Sequence, residues 1–154
     1  MKKVLAIVLV FSMIACFAGC SDKKAEVMSE FYDKVAESQE LLDSVADDIY
    51  SNWYDAIYED EFGEDINLAI ASAQIDHEED LNTIESLEDE ITALFKTLKD
   101  DPENGRLIKD VMSAYSDYYE FVVNVSGSFN SYSADKETLK KELASLLKDL
   151  SYEL

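Results

Sequence analysis

Apolar residues recur at every third or fourth position in four segments of the chain, which is the spacing of one face of an α-helix. The first segment covers residues 27–57 and the second covers residues 66–98. The third and fourth cover residues 108–125 and 139–154. We therefore predict four amphipathic helices, of which the second, at about 33 residues, would be roughly 50 Å long.

Glycine, proline and small polar residues mark the connections between these helices. Gly63 follows the first stripe and can adopt the left-handed conformation that ends helices. Asp101-Pro102-Glu103 has the order of an N-cap, a first-turn proline and a first-turn acid. Residues 124–133 form the longest loop-like stretch, after which Ser133 or Asp135 is the expected N-cap of the fourth helix.

The pattern as a whole predicts an all-α protein, because no segment alternates apolar and polar residues as a strand would. Four amphipathic helices with short connections favour an antiparallel four-helix bundle of long helices. The alternative is a three-helix bundle whose last helix bends at Gly127. In either case, residues 27–154 form a single acidic helical domain.

The first twenty residues follow a different pattern. A short basic start, Met1-Lys2-Lys3, precedes residues 4–15, which are apolar except for Ser12. Phe17-Ala18-Gly19-Cys20 then leads into a polar segment. This is the layout of a secretory signal. It resembles the signal peptide and lipobox of bacterial lipoproteins, with Phe17 at the position where leucine is usual.

The resemblance implies that residues 1–19 are removed as a signal peptide and that Cys20 carries a diacylglycerol anchor. Residues 20–26 would then be a short membrane tether, with the domain on the extracytoplasmic face of the cell membrane. Cleavage before Cys16 would leave an apolar stub on the mature chain, and an uncleaved anchor would have only 16 residues where about 20 are needed. Lys23 and Lys24 are either attracted to anionic head groups or are solvated linker charges.

Charge limits the partners that the mature domain can have. Removing residues 1–19 lowers the number of basic residues from 13 to 11 and leaves 34 acids, a formal charge of −23. The 61 residues between Lys34 and Lys96 contain 19 acids, no Lys or Arg, and one possible cation, His77. Such a chain is unsuited to nucleic acid, whose phosphates need basic surfaces. Its 47% hydrophobic content and its aromatics exceed those of a disordered acidic tail.

His77 is the most distinctive candidate for chemistry, because it lies on the apolar stripe of the second helix. With Asp80 three residues later, it could share a metal ion from one helical face. The Glu-x-x-His pairs of di-metal bundles are absent, since position 74 is Gln and the chain has no second histidine. We therefore favour a polar residue that fixes the register of a helix seam. We expect no metal site, no cofactor and no catalytic site, because neither a nucleophile beside a base nor a mature free thiol is available.

The segment before the fourth helix is the stronger candidate for recognition. Ser126, Ser128, Phe129, Asn130 and Tyr132 combine small polar groups with aromatic rings that we expect to be exposed. This composition suits adaptable contacts, although it is also that of a linker turning a corner.

Three tyrosines spaced four apart, Tyr50, Tyr54 and Tyr58, could anchor a partner or line the edge of the core. Together these features favour a non-enzymatic, membrane-anchored extracytoplasmic lipoprotein that binds an unidentified protein partner or has an envelope role. The alternative is the binding of cations or cationic peptides by the acidic face between Val35 and Phe95.

Overall fold

The computed structural model describes the backbone of residues 2–59 and 61–154, and side chains from residue 23 onward within those ranges. The protein is all-α and 87% helical, and the part that the structure describes contains no strand, as the apolar pattern predicts. A short 3-10 turn, Glu61–Glu64, follows the first of five α-helices. The helices are α1 (Lys2–Tyr58), α2 (Ile66–Asp76), α3 (Glu78–Leu98), α4 (Gly105–Val123) and α5 (Phe129–Ser151). Helix α1 packs against each of the other four, and α4 packs against α5.

The first helix is longer than its apolar stripe. Residues 20–26, predicted as a tether, have helical backbone that is continuous with the rest of α1. Lys24 Nζ lies 2.7 Å from Asp101 Oδ2 and 3.0 Å from Glu103 Oε2 in the connection between α3 and α4. Lys24 is therefore part of a contact between helical elements, a role that neither interpretation of this lysine included.

The predicted single helix over residues 66–98 is wrong, because the chain bends at His77 and forms α2 and α3. His77 has φ −104° and ψ 24°, outside the helical region. Hydrogen bonds still cross the bend, since the His77 amide donates to the Ala73 carbonyl and the His77 carbonyl accepts from Leu81. Three acids, Glu78, Glu79 and Asp80, occupy the first turn of α3, where the helix dipole favours negative charge.

The predicted N-cap at Asp101 is wrong, because α4 begins at Gly105 and its N-cap is Asn104. Asp101 instead holds the turn that precedes α4. Asp101 Oδ1 accepts from the amides of Glu103, at 3.1 Å, and Asn104, at 2.7 Å. Its carbonyl accepts from Gly105, the first residue of α4. The prediction for Gly63 is confirmed, because this residue has the left-handed conformation, with φ 61°.

The predicted start of the last helix is wrong, because α5 begins at Phe129 and its N-cap, Ser128, lies five residues before Ser133 and seven before Asp135. Ser128 is the N-cap, and its hydroxyl accepts from the Ser131 amide while the Ser131 hydroxyl accepts from the Ser128 amide. Gly127 precedes the cap with φ 92°, a conformation that side-chain-bearing residues rarely adopt. Much of the expected loop is thus the first turn of a helix.

The core lies along α1 and is closed by one face of each other helix. Its members are apolar residues that recur at the helical spacing and are almost fully buried; the largest are Phe31, Leu42, Ile49, Ile84, Ile91, Ile108, Tyr115, Tyr118, Tyr132, Leu143 and Leu150. The ends of two predicted stripes do not join it, because Ile57 is 41% exposed and Leu154 is also exposed.

Three of the core residues are tyrosines whose hydroxyl groups all find partners. Tyr115 is 3.1 Å from the buried Ser38 hydroxyl, and Tyr118 donates to Asp43 at 2.6 Å. Tyr132 donates to the Ala46 carbonyl at 3.3 Å. Burial raises the pKa of Tyr115 to about 12 and raises the pKa of Tyr118 and Tyr132 as well, so all three stay neutral donors.

Candidate interaction surface

The five predicted recognition residues do not form one exposed loop. Ser126, Ser128 and Asn130 are exposed, but the Ser128 hydroxyl is engaged in capping α5. Phe129 is half-buried and Tyr132 is only 1% exposed. The expectation of exposed aromatic rings is therefore wrong at both positions, because both rings lie on the apolar side of α5 and pack against other aromatic residues.

Phe129 lies at the centre of an aromatic cluster that joins the end of α1 to the start of α5. Its ring centroid is 5.1 Å from that of Tyr50, 6.0 Å from Trp53, and 6.2 Å from both Tyr54 and Tyr58. Such separations are those of stacked and edge-to-face aromatic pairs, each worth about 0.5–1.5 kcal/mol beyond area burial. Phe129 thus fixes the positions of the tyrosines that the sequence spaces four apart.

An apolar surface on the outer side of this cluster remains open to solvent. Tyr54 is 40% exposed, Ile57 is 41% exposed and Tyr58 is 59% exposed, and all three lie in the last two turns of α1. We call these three residues the apolar ledge. The tyrosine spacing was visible in the sequence, whereas Ile57 was expected in the core. Its exposure follows from its position at the end of α1, where the core ends.

Four acids without an ion-pair partner in the described part of the chain lie close to the apolar ledge in the sequence, either in α1 or in the turn that follows it. Asp55 follows Tyr54 in α1, Glu59 follows Tyr58, and Glu61 and Glu64 lie in the 3-10 turn that packs against α1. Within the described residues, none of these four carboxylates has a lysine, arginine or histidine nitrogen within 4.0 Å, in contrast to many acids nearer the middle of the molecule. We call Asp55, Glu59, Glu61 and Glu64 the acid rim.

His77 lies between α1 and α3, as the prediction of a seam residue requires, and its side chain is only 12% exposed. Nδ1 is 2.6 Å from Asp80 Oδ2 and Nε2 is 2.8 Å from Asp48 Oδ2 of α1. The hydrogen bond to Asp80 and then that to Asp48 raise the pKa of His77 above 6.5, although burial acts in the opposite direction. When the ring is protonated it donates to both carboxylates, and in this way it links the bend between α2 and α3 to α1.

This arrangement of His77 differs from a metal site. Its two ring nitrogens point in different directions, and each already contacts a separate carboxylate. Across the described part of the chain, no three histidine, cysteine or carboxylate groups converge as metal ligands. The expectation of no metal and no cofactor stays a prediction.

Three open clefts lie on the surface of the described part of the protein. The largest, about 510 Å³, lies along one face of α1 from Glu26 to Glu37. Two smaller ones, about 450 Å³ and 250 Å³, share Gln74, Leu81 and Asn82 beside the bend between α2 and α3. His77 lines none of the three, and they contain no pairing of a nucleophile with a free base that would suggest chemistry. The expectation of a non-enzyme also stays a prediction.

The predicted lipid attachment residue, Cys20, lies outside the residues whose side chains the structure describes. Among the described residues, no helix is long and apolar enough to cross a membrane. Comparisons with protein-family models, with curated proteins and with solved structures gave no match.

Proposed function

We propose that this protein is an extracytoplasmic lipoprotein, anchored in the cell membrane at Cys20, that binds another protein through the apolar ledge and has no enzymatic activity. The observation that carries the proposal is the ledge itself. Tyr54, Ile57 and Tyr58 are three exposed large apolar side chains within the last two turns of α1, and the chain that carries them is strongly acidic. Large apolar side chains grouped in this way, with a polar border, are typical of protein interaction sites.

The geometry of α1 supports the display of this ledge away from the membrane. Residues 20–58 belong to one helix, so at 1.5 Å per residue the ledge would stand about 57 Å from an anchor at Cys20. Because the residues after Cys20 are helical and Lys24 is paired with Asp101 and Glu103, the domain would be held upright on a stiff support. A partner could then reach the ledge without contacting the lipid surface.

We further propose that the five helices form an antiparallel four-helix bundle in which α2 and α3 together make one arm, bent at His77. Pairs between α1 and α5, Asp43 with Lys140 and Asp47 with Lys136, run in opposite chain directions. Pairs between α1 and α4, Ser38 with Tyr115 and Asp43 with Tyr118, run in the same direction. Four arms alternating in direction support this arrangement over a three-helix bundle with a bent last helix.

The alternative function is the capture of cations or cationic peptides by the acidic face. Of these two ligands, we favour the cationic peptide. Several acids of this face are already paired within the protein, among them Asp43, Asp47, Asp48, Asp80 and Glu90. The acids of the rim are not. Calorimetric titration with calcium, zinc and a polylysine peptide distinguishes cation binding from peptide binding. We expect a heat of binding only for the peptide.

Cross-linking in the native cells, followed by mass spectrometry, tests the proposed interaction. The test compares the native protein with Tyr54→Ser/Tyr58→Ser, and with the matched control Tyr152→Ser, whose tyrosine is 72% exposed at the opposite end of α5. We expect the same partner with the native and control proteins and its loss with the double variant. Absence of any reproducible partner, or equal recovery with all three proteins, would refute binding through the ledge.

A further inference from the structure

We infer that the segment that binds the apolar ledge is a cationic amphipathic segment of another protein, with apolar side chains against Tyr54, Ile57 and Tyr58 and Lys or Arg side chains against the acid rim. The inference rests on the proposed function and adds the chemistry of the partner. It follows from three properties of this end of the molecule: its unpaired charge, its rigid aromatic surface and its repulsion of acidic surfaces.

The acid rim carries negative charge that no described cation of this protein neutralises. The 61 residues between Lys34 and Lys96 include both the ledge and the rim and contain no Lys or Arg. The lysines of α5 do not neutralise the rim, because Lys136 is bound to Asp47 and Lys140 to Asp43, lower on α1. A partner with basic side chains would meet free carboxylates at this border, which favours both its approach and its orientation.

The aromatic part of the ledge is held in place before any partner arrives. The rings of Tyr54 and Tyr58 are 4.7 Å apart, and both are 6.2 Å from Phe129 behind them. Phe129 in turn packs on Trp53, which is almost fully buried. Because these side chains are already ordered, a partner would cost them little conformational entropy on binding. Rigid tyrosines of this kind are effective anchors for apolar side chains.

Charge argues against two other occupants. A second copy of the chain would bring its own acid rim against the first, and two unpaired sets of carboxylates would repel each other. An anionic lipid surface would be repelled by the same groups. A segment that is both apolar and basic satisfies the ledge and the rim together.

Titration of the full chain in detergent micelles with designed peptides tests the inference, with the fluorescence of the single tryptophan, Trp53, as the readout. The probe is a helical peptide of about 18 residues with Leu and Phe on one face and Lys on the other. One control is a scrambled peptide of identical composition that has no apolar face. The other is an analogue with Glu in place of Lys.

Two sets of variants locate the binding. Tyr54→Ser/Tyr58→Ser removes the aromatic ledge, and Glu59→Gln/Glu61→Gln/Glu64→Gln removes most of the rim charge. Tyr152→Ser and Glu142→Gln/Asp149→Asn/Glu153→Gln are the matched controls, because these residues are exposed and lie in or just after α5, away from the ledge. Circular dichroism and thermal unfolding check that every variant is folded.

We expect the amphipathic cationic peptide to bind at least about tenfold more tightly than the scrambled or acidic peptide. Each test variant should lose at least about tenfold in affinity and each control variant less than about twofold. Equal binding of the amphipathic and scrambled peptides, or equal affinity for test and control variants, would overturn the inference. Two further results would also overturn it. One is a dimer in sedimentation that is lost in Tyr54→Ser/Tyr58→Ser, and the other is binding of the ledge to anionic vesicles. Peptide binding requires neither the lipid anchor nor the native partner. A negative peptide titration would therefore refute the partner chemistry alone, whereas a negative cross-linking experiment would refute the proposed function.

Discussion

The acids of α1 are paired with different cations on the two sides of the helix. Toward α5, the acids of α1 meet lysines: Asp43 pairs with Lys140, and Asp47 pairs with Lys136 at 2.5 Å. Toward α2 and α3, Asp48 meets His77, and Lys34 of α1 pairs with Glu90 of α3 at 2.6 Å. Because His77 is the only possible cation in the sequence between Lys34 and Lys96, the contact at the bend depends on pH near neutrality, whereas the contacts made by lysines do not.

The packing against α1 is also more extensive on the α5 side than on the α2 side. On the α5 side, Phe129 and Tyr132 join Tyr50 and Trp53 in a continuous aromatic cluster, and Lys136 Nζ lies 4.6 Å above the Tyr50 ring. On the α2 side, the fully buried residues of the helix are only Ala69 and Ala73. Helix α2 therefore approaches α1 closely but buries little apolar area. We expect α5 to contribute more to stability than α2.

The largest effect should come from Tyr132→Ala, which removes a ring that packs at 5.5 Å on Trp53 and 4.6 Å on Phe121. Loss of a buried aromatic side chain costs about 3–5 kcal/mol of unfolding free energy. Ile75→Ala on α2 should cost less than about 0.5 kcal/mol, because Ile75 is exposed. Urea denaturation followed by circular dichroism measures both. If Tyr132→Ala were as mild as Ile75→Ala, the Tyr132 ring would not be part of the core, and the exposed position expected from the sequence would be restored.

A smaller effect is expected for Lys136→Met, which keeps the apolar stem but removes the ion pair with Asp47 and the contact with Tyr50. Because the Lys136 side chain is largely buried, we expect a loss of about 1–2 kcal/mol. Lys141→Met is the matched control. Lys141 is exposed and pairs only with Glu137 in its own helix, so its loss should cost less than about 0.5 kcal/mol. If urea denaturation gave the same loss of unfolding free energy for both variants, the burial of Lys136 would not strengthen its interactions.

The start of α5 can be tested by Ser128→Ala, which removes the hydroxyl that accepts from the Ser131 amide. Loss of an N-cap costs about 1 kcal/mol. Ser133→Ala, at the cap position expected from the sequence, should change stability by less than about 0.5 kcal/mol. Thermal and urea unfolding of the two variants decide between the positions, and a larger cost at Ser133 would restore the later helix start.

The smallest effect, on the order of 1 kcal/mol, should come from His77→Gln, and it should depend on pH. Asp80 and Asp48 raise the pKa of His77 in the folded protein above 6.5, so folding favours the protonated ring. The resulting stability is fully present below about pH 6.5 and is lost as the pH rises through the folded pKa. The difference in unfolding free energy between the native protein and His77→Gln should therefore shrink as the pH rises.

Measuring this difference over the range from pH 5.5 to about 9 cancels the general charge repulsion that both proteins share. Asp48→Asn is the matched variant, since it leaves His77 in place but removes its contact with α1. It should weaken the pH dependence without abolishing it, because Asp80 remains. A constant difference across the range would show that His77 acts by packing alone.

The sequence was sufficient for the features that depend on local patterns. The helical spacing and the left-handed Gly63 follow from rules that involve neighbours within a few residues. The bend at His77 could not be predicted in this way, since the apolar spacing continues across it. What breaks the helix there is local backbone geometry, together with a ring held by Asp48, 29 residues away in the chain.

The candidate interaction surface was predicted only in part, for a related reason. The spacing of Tyr50, Tyr54 and Tyr58 is visible in the sequence, but their packing on Phe129 depends on a helix start that the sequence analysis placed too late. The Ser128 and Ser131 pair lacks the Glu or Gln that usually completes a capping box, so its signal is weak. Once α5 begins at Phe129, the aromatic side chains of the expected loop turn inward and the exposed anchors are those of α1.

The proposed location of the protein, on which its access to an extracytoplasmic partner depends, requires the anchor at Cys20. The intact mass of the protein isolated from its native membranes tests this anchor. The account predicts a chain that lacks residues 1–19 and carries a diacylglycerol on Cys20, and that leaves the membrane fraction when Cys20→Ser is expressed. A mass equal to that of all 154 unmodified residues, with the protein in the soluble fraction, would contradict it.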